Sequence, residues 1–160
     1  MGTEKLKFKI ELYATMWDKP PHVEILINDD TITKHYISAT EDKPYVIEFE
    51  HELQEESTNK LILNRSGKFK GQTITNNDGH ILKDQILHIK SIEIDEIAIG
   101  SLVYEGVYVP KYQEPWFSQR KAAGREPPKT FKNCTGLGHD GTWTFTFGSP
   151  FYIWLLENLY

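Results

Sequence analysis

Residues 82–100 read "LKDQILHIKSIEIDEIAIG", six isoleucines set among the acids Asp84, Glu93, Asp95 and Glu96. Leu87 and Ile89 fall on odd positions, Ile92 and Ile94 on even ones, and Ile97 and Ile99 on odd ones again. Side chains alternate between the faces of a strand, so a shift of one residue moves a whole apolar set to the other face. The spacing therefore predicts a β-bulge near Lys90-Ser91 and a turn or second bulge near Asp95-Glu96. On this reading the acids are the wet face of one or two strands whose other face is core.

The same period recurs upstream. In "KLKFKIEL", Leu6, Phe8, Ile10 and Leu12 alternate with Lys5, Lys7, Lys9 and Glu11. "HVEILIND" alternates through Val23, Ile25 and Ile27, and "YVIEFEHE" through Tyr45, Ile47 and Phe49. "KLILN" is a short buried run. "TITNNDGHIL" places Asp78-Gly79 between apolar residues, which predicts a type I′ hairpin. "GTWTFTFG" sets Trp143, Phe145 and Phe147 against three threonines. The first hundred residues show no helical period. Many short strands about ten residues apart predict an all-β, jelly-roll-like β-sandwich. A single domain of 160 residues is expected. Residues 1–109 would form the sandwich core, 110–142 an arm, and 143–160 a final strand and an apolar C-terminal segment.

Composition narrows function. The net charge of −5 gives the whole molecule no pull on nucleic acid. The start lacks the unbroken apolar stretch of a signal peptide, and "FYIWLL" is too short to span a bilayer. A reducing cytosol is the expected place of synthesis, so the sequons at Asn64 and Asn133 read as chance. The single cysteine, Cys134, leaves no intrachain disulfide and no CxxC site. "GLGHDG" at 136–141 satisfies GxGxxG, but a Pro-rich segment precedes it and a strand follows, so it reads as turn glycines. No Walker A, HExxH or GxSxG pattern is present. The six histidines show no ligand spacing. Cys134 with His139 is the one nucleophile pair to consider, and nothing in the sequence marks a lowered thiol pKa. A non-enzymatic protein is expected, and no cofactor is required.

The segment from Pro110 to Thr142 breaks the rhythm, with Pro110, Pro115, Pro127 and Pro128. Lys111, Arg120, Lys121, Arg125, Lys129 and Lys132 stand against three acids there, a net of +3 that leaves −8 on the remainder. Long irregular segments in compact domains are often functional. A short helix is expected within "EPWFSQRKAAG". Ser149 reads as a helix N-cap and Pro150 as a first helical position, so "FYIWLLENLY" is expected as a short helix or final strand, apolar on all sides. Trp116, Tyr112, Arg120, Arg125, Trp154 and Tyr160 are the expected contact residues for a glycan or a partner chain.

Two resemblances add context. "HVEILINDDTI", Asp84-Gln85-Ile86-Leu87 and Ile92-Glu93-Ile94-Asp95 resemble the calcium-dependent xylan-binding modules, small β-sandwiches, over residues 8–100. That resemblance implies glycan binding, and calcium with Asp84, Asp95 and Asp78 among its ligands; the metal takes six to eight oxygens. Nearly the whole chain resembles small proteins of tailed bacteriophages, marine contractile-tailed ones in particular. The similarity rests on Glu114-Pro115-Trp116, Gly136-Leu137-Gly138, Gly141-Thr142-Trp143 and Ser149-Pro150-Phe151-Tyr152 with Trp154-Leu155-Leu156-Glu157. It implies a virion component, made in the host cytoplasm, that contacts other phage structural proteins or itself. Two functions follow as expectations: placement in a virion through protein contacts, and recognition of a host-surface glycan. Neither nucleic acid nor membrane is an expected partner.

Overall fold

In a computed structural model, which describes residues 2–68 and 72–159, 52% of the chain is strand. The strands are β1 (Thr3–Thr15), β2 (His22–Ile27), β3 (Asp30–Tyr36), β4 (Tyr45–Gln54), β5 (Ser57–Ser66), β6 (Ile74–Thr75), β7 (Ile81–Lys83), β8 (Ile86–Ile94), β9 (Ile97–Ala98), β10 (Val107–Pro110), β11 (Gly136–Leu137) and β12 (Gly141–Ser149). A 3-10 turn covers Gly100–Glu105, and the helices are α1 (Trp116–Ala122) and α2 (Phe151–Leu159). One sheet runs β11-β8-β1-β4, with β9 paired to β8; the other runs β10-β12-β5-β2-β3. All pairings are antiparallel. One core joins them: Leu6, Phe8, Ile10 and Leu12 from the first sheet meet Ile25, Leu63, Trp143 and Phe145 from the second. The protein is an all-β sandwich, as the alternation requires.

The opening stretch folds as its parity demands. Glu11 pairs with Ser91 and Leu12 with Ile89, so Lys90 is the extra, bulged residue. Ile94 pairs with Ile97 across Asp95-Glu96, whose φ angles of 54° and 67° make a primed two-residue turn. Glu93 is on the wet face opposite Lys9, at 3.5 Å. The outer face of the first sheet is laid out in opposite charges: Lys5, Lys7 and Lys9 stand across from Glu52, Glu50 and Glu48. Asp84 departs from the wet-face expectation, because it is drawn into the interior end described below.

Other expectations need correction. The Asp78-Gly79 hairpin forms, but with a longer loop. Thr75 pairs with Ile81, and Gly79 alone of that dipeptide has positive φ. The Asn76 side chain accepts the amides of Asp78 and His80 at 2.9 Å and shapes the turn. Of the "GLGHDG" glycines, Gly136 lies in β11, and Gly141 is required by close approach: a Cβ there would sit 2.4 Å from the Val109 carbonyl. Ser149 does not cap α2. Its hydroxyl donates to Glu4, and that carboxylate takes the Phe151 amide at 3.0 and 3.1 Å. The C-terminal segment is a helix rather than a final strand, and part of its apolar surface is core. Phe151 and Leu155 are core, and Trp154 sets its ring edge-on to Phe145 at 5.8 Å, close over Gly148. Removing the segment would open the core rather than free a detachable tail.

The 110–142 arm is a strap with structure of its own. It leaves β10 at the edge of one sheet, forms α1, bridges Phe131 back to Tyr108, and enters β11 at the edge of the other. Gly124, at φ 75°, ends α1: its amide reaches the Lys121 carbonyl and the Arg125 amide reaches that of Arg120. No helix among the described residues is long and apolar enough to cross a membrane.

Candidate functional site: the loop end of the sandwich

The end of β5, the start of β8, the start of β12 and the loop after β1 meet at one end of the sandwich. Alternation along β5 points Asn59, Leu61, Leu63 and Arg65 inward. Arg65 is 1% exposed, so its cation must find partners inside the protein. One guanidinium nitrogen donates to Asp140 at 2.6 Å, and another to the Gln85 carbonyl and side-chain oxygen at 2.9 and 2.7 Å. Nε, also buried, has no partner. Beside it Lys68 donates to Asp84 at 2.9 Å and to the Gly138 carbonyl. Asp84 also accepts from Thr73 and from the Gln85 amide, and Asp140 from the Lys68 amide.

Gln85 extends the network through its amide nitrogen to the Lys19 and Gly67 carbonyls and to Gln72. Gln72 in turn donates to Asp18. Two aromatic groups stand on this base. The Trp17 indole donates to the Gln72 carbonyl at 2.8 Å, and the Lys83 ammonium lies 4.8 Å from the centre of its ring. On the strap, Tyr112, Trp116 and His139 converge, with centroids 5.6 Å apart for Tyr112–Trp116 and 5.3 Å for Trp116–His139. Phe117 stacks on Tyr112, and the Arg120 guanidinium lies 5.3 Å from the Trp116 ring centre. Gln113 donates to the Lys68 carbonyl, which ties the strap to the ion pairs. Trp17 and Trp116 are 40% and 36% exposed, whereas Trp143 is fully buried and Trp154 half-buried.

The electrostatics follow burial. Burial pushes the Arg65 and Lys68 cations toward lower pKa, and their carboxylates oppose it. Burial pushes Asp84 up, but bonds from Thr73, Lys68 and the Gln85 amide outweigh it and hold the carboxyl below its usual range. Burial, with Lys68 and Arg65 nearby, takes His139 down to about 4, against the pull of Asp84 and Asp140. His139 is therefore neutral near pH 7. The Cys134 thiol is pushed up by burial and donates to the Gly136 carbonyl, the reverse of an activated nucleophile.

Of the residues expected at a contact surface, Tyr112, Trp116 and Arg120 come together here. Arg125 lies just past α1, exposed. Trp154 sits at the opposite end of β12, a nine-residue strand about 30 Å long, and spends its ring on the core. Tyr160 lies outside the described residues. The expected calcium set does not assemble. Asp84 and Asp95 flank β8 at opposite ends, about 30 Å apart, and Asp95 is engaged by Tyr152 and the Lys7 amide. Asp78 lies in the exposed tip of the β6–β7 ribbon. Asp84 is neutralised by Lys68. Among the described residues no three of His, Cys, Asp and Glu converge on a metal position. Trp17 is the member that sequence reasoning passed over. It lies in a turn after β1, outside any periodic run, and its one signal was to be a tryptophan beside Asp18 and Pro20.

No family model matches the chain, and no curated protein does. Among solved structures the chain is similar to vCBM60 in complex with galactobiose, at 7% identity and a TM-score of 0.49, over 87% of this chain and 96% of that one. It is similar also to the selenomethionine form of vCBM60, at 7% identity and a TM-score of 0.49, over 88% and 89% of the two chains. That form comes from work linking two families of calcium-dependent carbohydrate binding modules by circular permutation.

Replacing Asp140 with Ala leaves Arg65 buried without its carboxylate, and should cost about 3 kcal/mol, the low end for a broken buried pair because Asp140 is partly exposed. Denaturant titration of wild type and Asp140→Ala measures it, and a loss within error of zero would contradict the role given to the pair. Acid should also weaken the fold. The unfolded chain takes up the His139 proton near pH 6.5, while the native one refuses it until about 4, so stability falls as pH drops through that window. His139→Phe, which keeps the ring, should flatten the decline in Tm between those pH values. It should not abolish it, because burial lowers His35 and His88 too.

Proposed function

We propose that this protein is a non-catalytic binding module that takes a glycan at the loop end of its sandwich. The observation that carries the reading is the placement of the tryptophans. The two most exposed, Trp17 and Trp116, share this end and stand on one buried network of ion pairs and hydrogen bonds. Indole faces stack on sugar rings, and a rigid base reduces the entropy lost on binding. The polar groups that orient a ligand in such sites are at hand in His139, Tyr112 and Arg120.

A second reading rests on α2. It turns Tyr152, Ile153, Leu156 and Leu159 outward, an apolar face at the end opposite the glycan platform. That face suits a protein contact, and supports the virion component implied by the likeness to tailed-phage proteins. The two functions use different ends and are compatible.

Trp116→Ala should abolish glycan binding on an array and in calorimetry, with Trp17→Ala weakening it at least tenfold. Both variants should keep the wild-type circular dichroism. Undiminished binding by Trp116→Ala would remove the platform, and a wild-type protein that binds nothing on a broad array would remove the glycan reading.

A further inference from the structure

Some exposed cations of this protein are answered by carboxylates and others are not. On the outer face of the first sheet, Lys5, Lys7 and Lys9 each lie within 4 Å of a glutamate. At the loop end and along the strap, Lys83, Arg120, Lys121, Arg125, Lys129 and Lys132 are all exposed, and among the described residues none of them is in an ion pair. Two of the six lie over the indoles of the proposed platform, Lys83 over Trp17 and Arg120 over Trp116. Each exposed tryptophan is thus paired with a cation whose charge no carboxylate answers.

We infer that the glycan taken at this end is an anionic one, bearing carboxylate or sulfate groups, with its rings on Trp17 and Trp116 and its charges met by Lys83 and Arg120. This rests on the glycan reading above and names the chemical class of its ligand. An indole offers an apolar face to the C–H side of a sugar ring. A cation held at the same indole meets an acidic substituent of that sugar, and the planar guanidinium of Arg120 can take a carboxylate or sulfate through two hydrogen bonds at once. The strap carries net +3, which raises the local concentration of such ligands. A single-stranded nucleic acid also pairs aromatic stacking with cations. The remainder of the chain, however, carries −8, and a polyphosphate long enough to track the surface would run along it. A saccharide of a few rings engages the loop end alone.

The test is a glycan array holding neutral, uronate-bearing, sialylated and sulfated glycans, probed with the full chain, with a ten-residue oligothymidylate as a separate probe. The bound glycans should be acidic. Their signal should fall at least tenfold as NaCl rises from about 0.05 to 0.5 M, where screening shortens the reach of exposed charges. The Lys83→Gln/Arg120→Gln double variant should lose binding to acidic glycans at least tenfold while its melting temperature holds. A bound set made up of neutral glycans would overturn the inference and leave the platform standing. An array with no bound glycan would overturn both. Tighter binding of the oligothymidylate than of any glycan would assign the site to nucleic acid instead.

Discussion

A single arginine turned into the core organises one end of this protein. Arg65 occupies an inward position of β5, in line with Leu61 and Leu63, where alternation would otherwise supply another apolar side chain. A buried guanidinium keeps its charge, so partners have to be brought to it. They come from distant segments: Asp140 from the turn before β12 and Gln85 from the approach to β8. Such a pair adds little net stability against an apolar alternative, because desolvation offsets the Coulomb gain. Its contribution is positional. Once Asp140 and Gln85 are placed, the Lys68 amide, the Gln72 side chain and the loop carrying Trp17 and Asp18 follow through their own hydrogen bonds.

The two ends of the sandwich are consequently built on different principles. At the Arg65 end, long segments without repetitive structure are held by buried polar groups, and they present aromatic rings and unanswered cations. At the other end the connections are short. Asp95-Glu96 turns β8 into β9 in two residues, and the Glu4 carboxylate receives the first amide of α2 from the neighbouring β1. That carboxylate also suits the positive end of the helix dipole. The charged face between the ends is self-neutralising, because β1 sets its lysines against glutamates of β4 and β8. At the irregular end a rigid network rather than a sheet fixes side-chain positions.

The strap from Pro110 to Thr142 shows how a segment of weak periodicity can still be structural. Its prolines break the strand pattern, yet it joins the outer strand β10 of one sheet to the edge strand β11 of the other and covers that side of the sandwich. Edge strands invite unwanted pairing when left bare. A segment that meets one edge of each sheet and bears Tyr112, Trp116 and Arg120 holds these side chains on a support anchored at both ends.

Much of the architecture was legible in the residues alone, because strand alternation is a local property. The parity changes within 82–100 located the bulge at Lys90 and the turn at Asp95-Glu96, and the lysine–glutamate rhythm of β1 and β4 marked a solvated face. The residues at 114–124 allow a short helix, and one forms at 116–122, whereas those at 151–160 allow a helix or a final strand, and the fold decides for the helix. What sequence could not decide were relations between residues far apart in the chain. Asp84 and Asp95, eleven positions apart with acids at both, looked like partners, yet an extended strand carries them to opposite ends. Ser149 looked like a cap until Glu4, 145 positions away, took that place. Trp154 looked like an anchor for a partner and is packed on Phe145, while Trp17, in an unpatterned turn, is exposed at the loop end. Only tertiary structure settles such cases. Burial and pairing depend on which surfaces meet in space, and a buried charge such as Arg65 recruits its partners without regard to their distance along the chain.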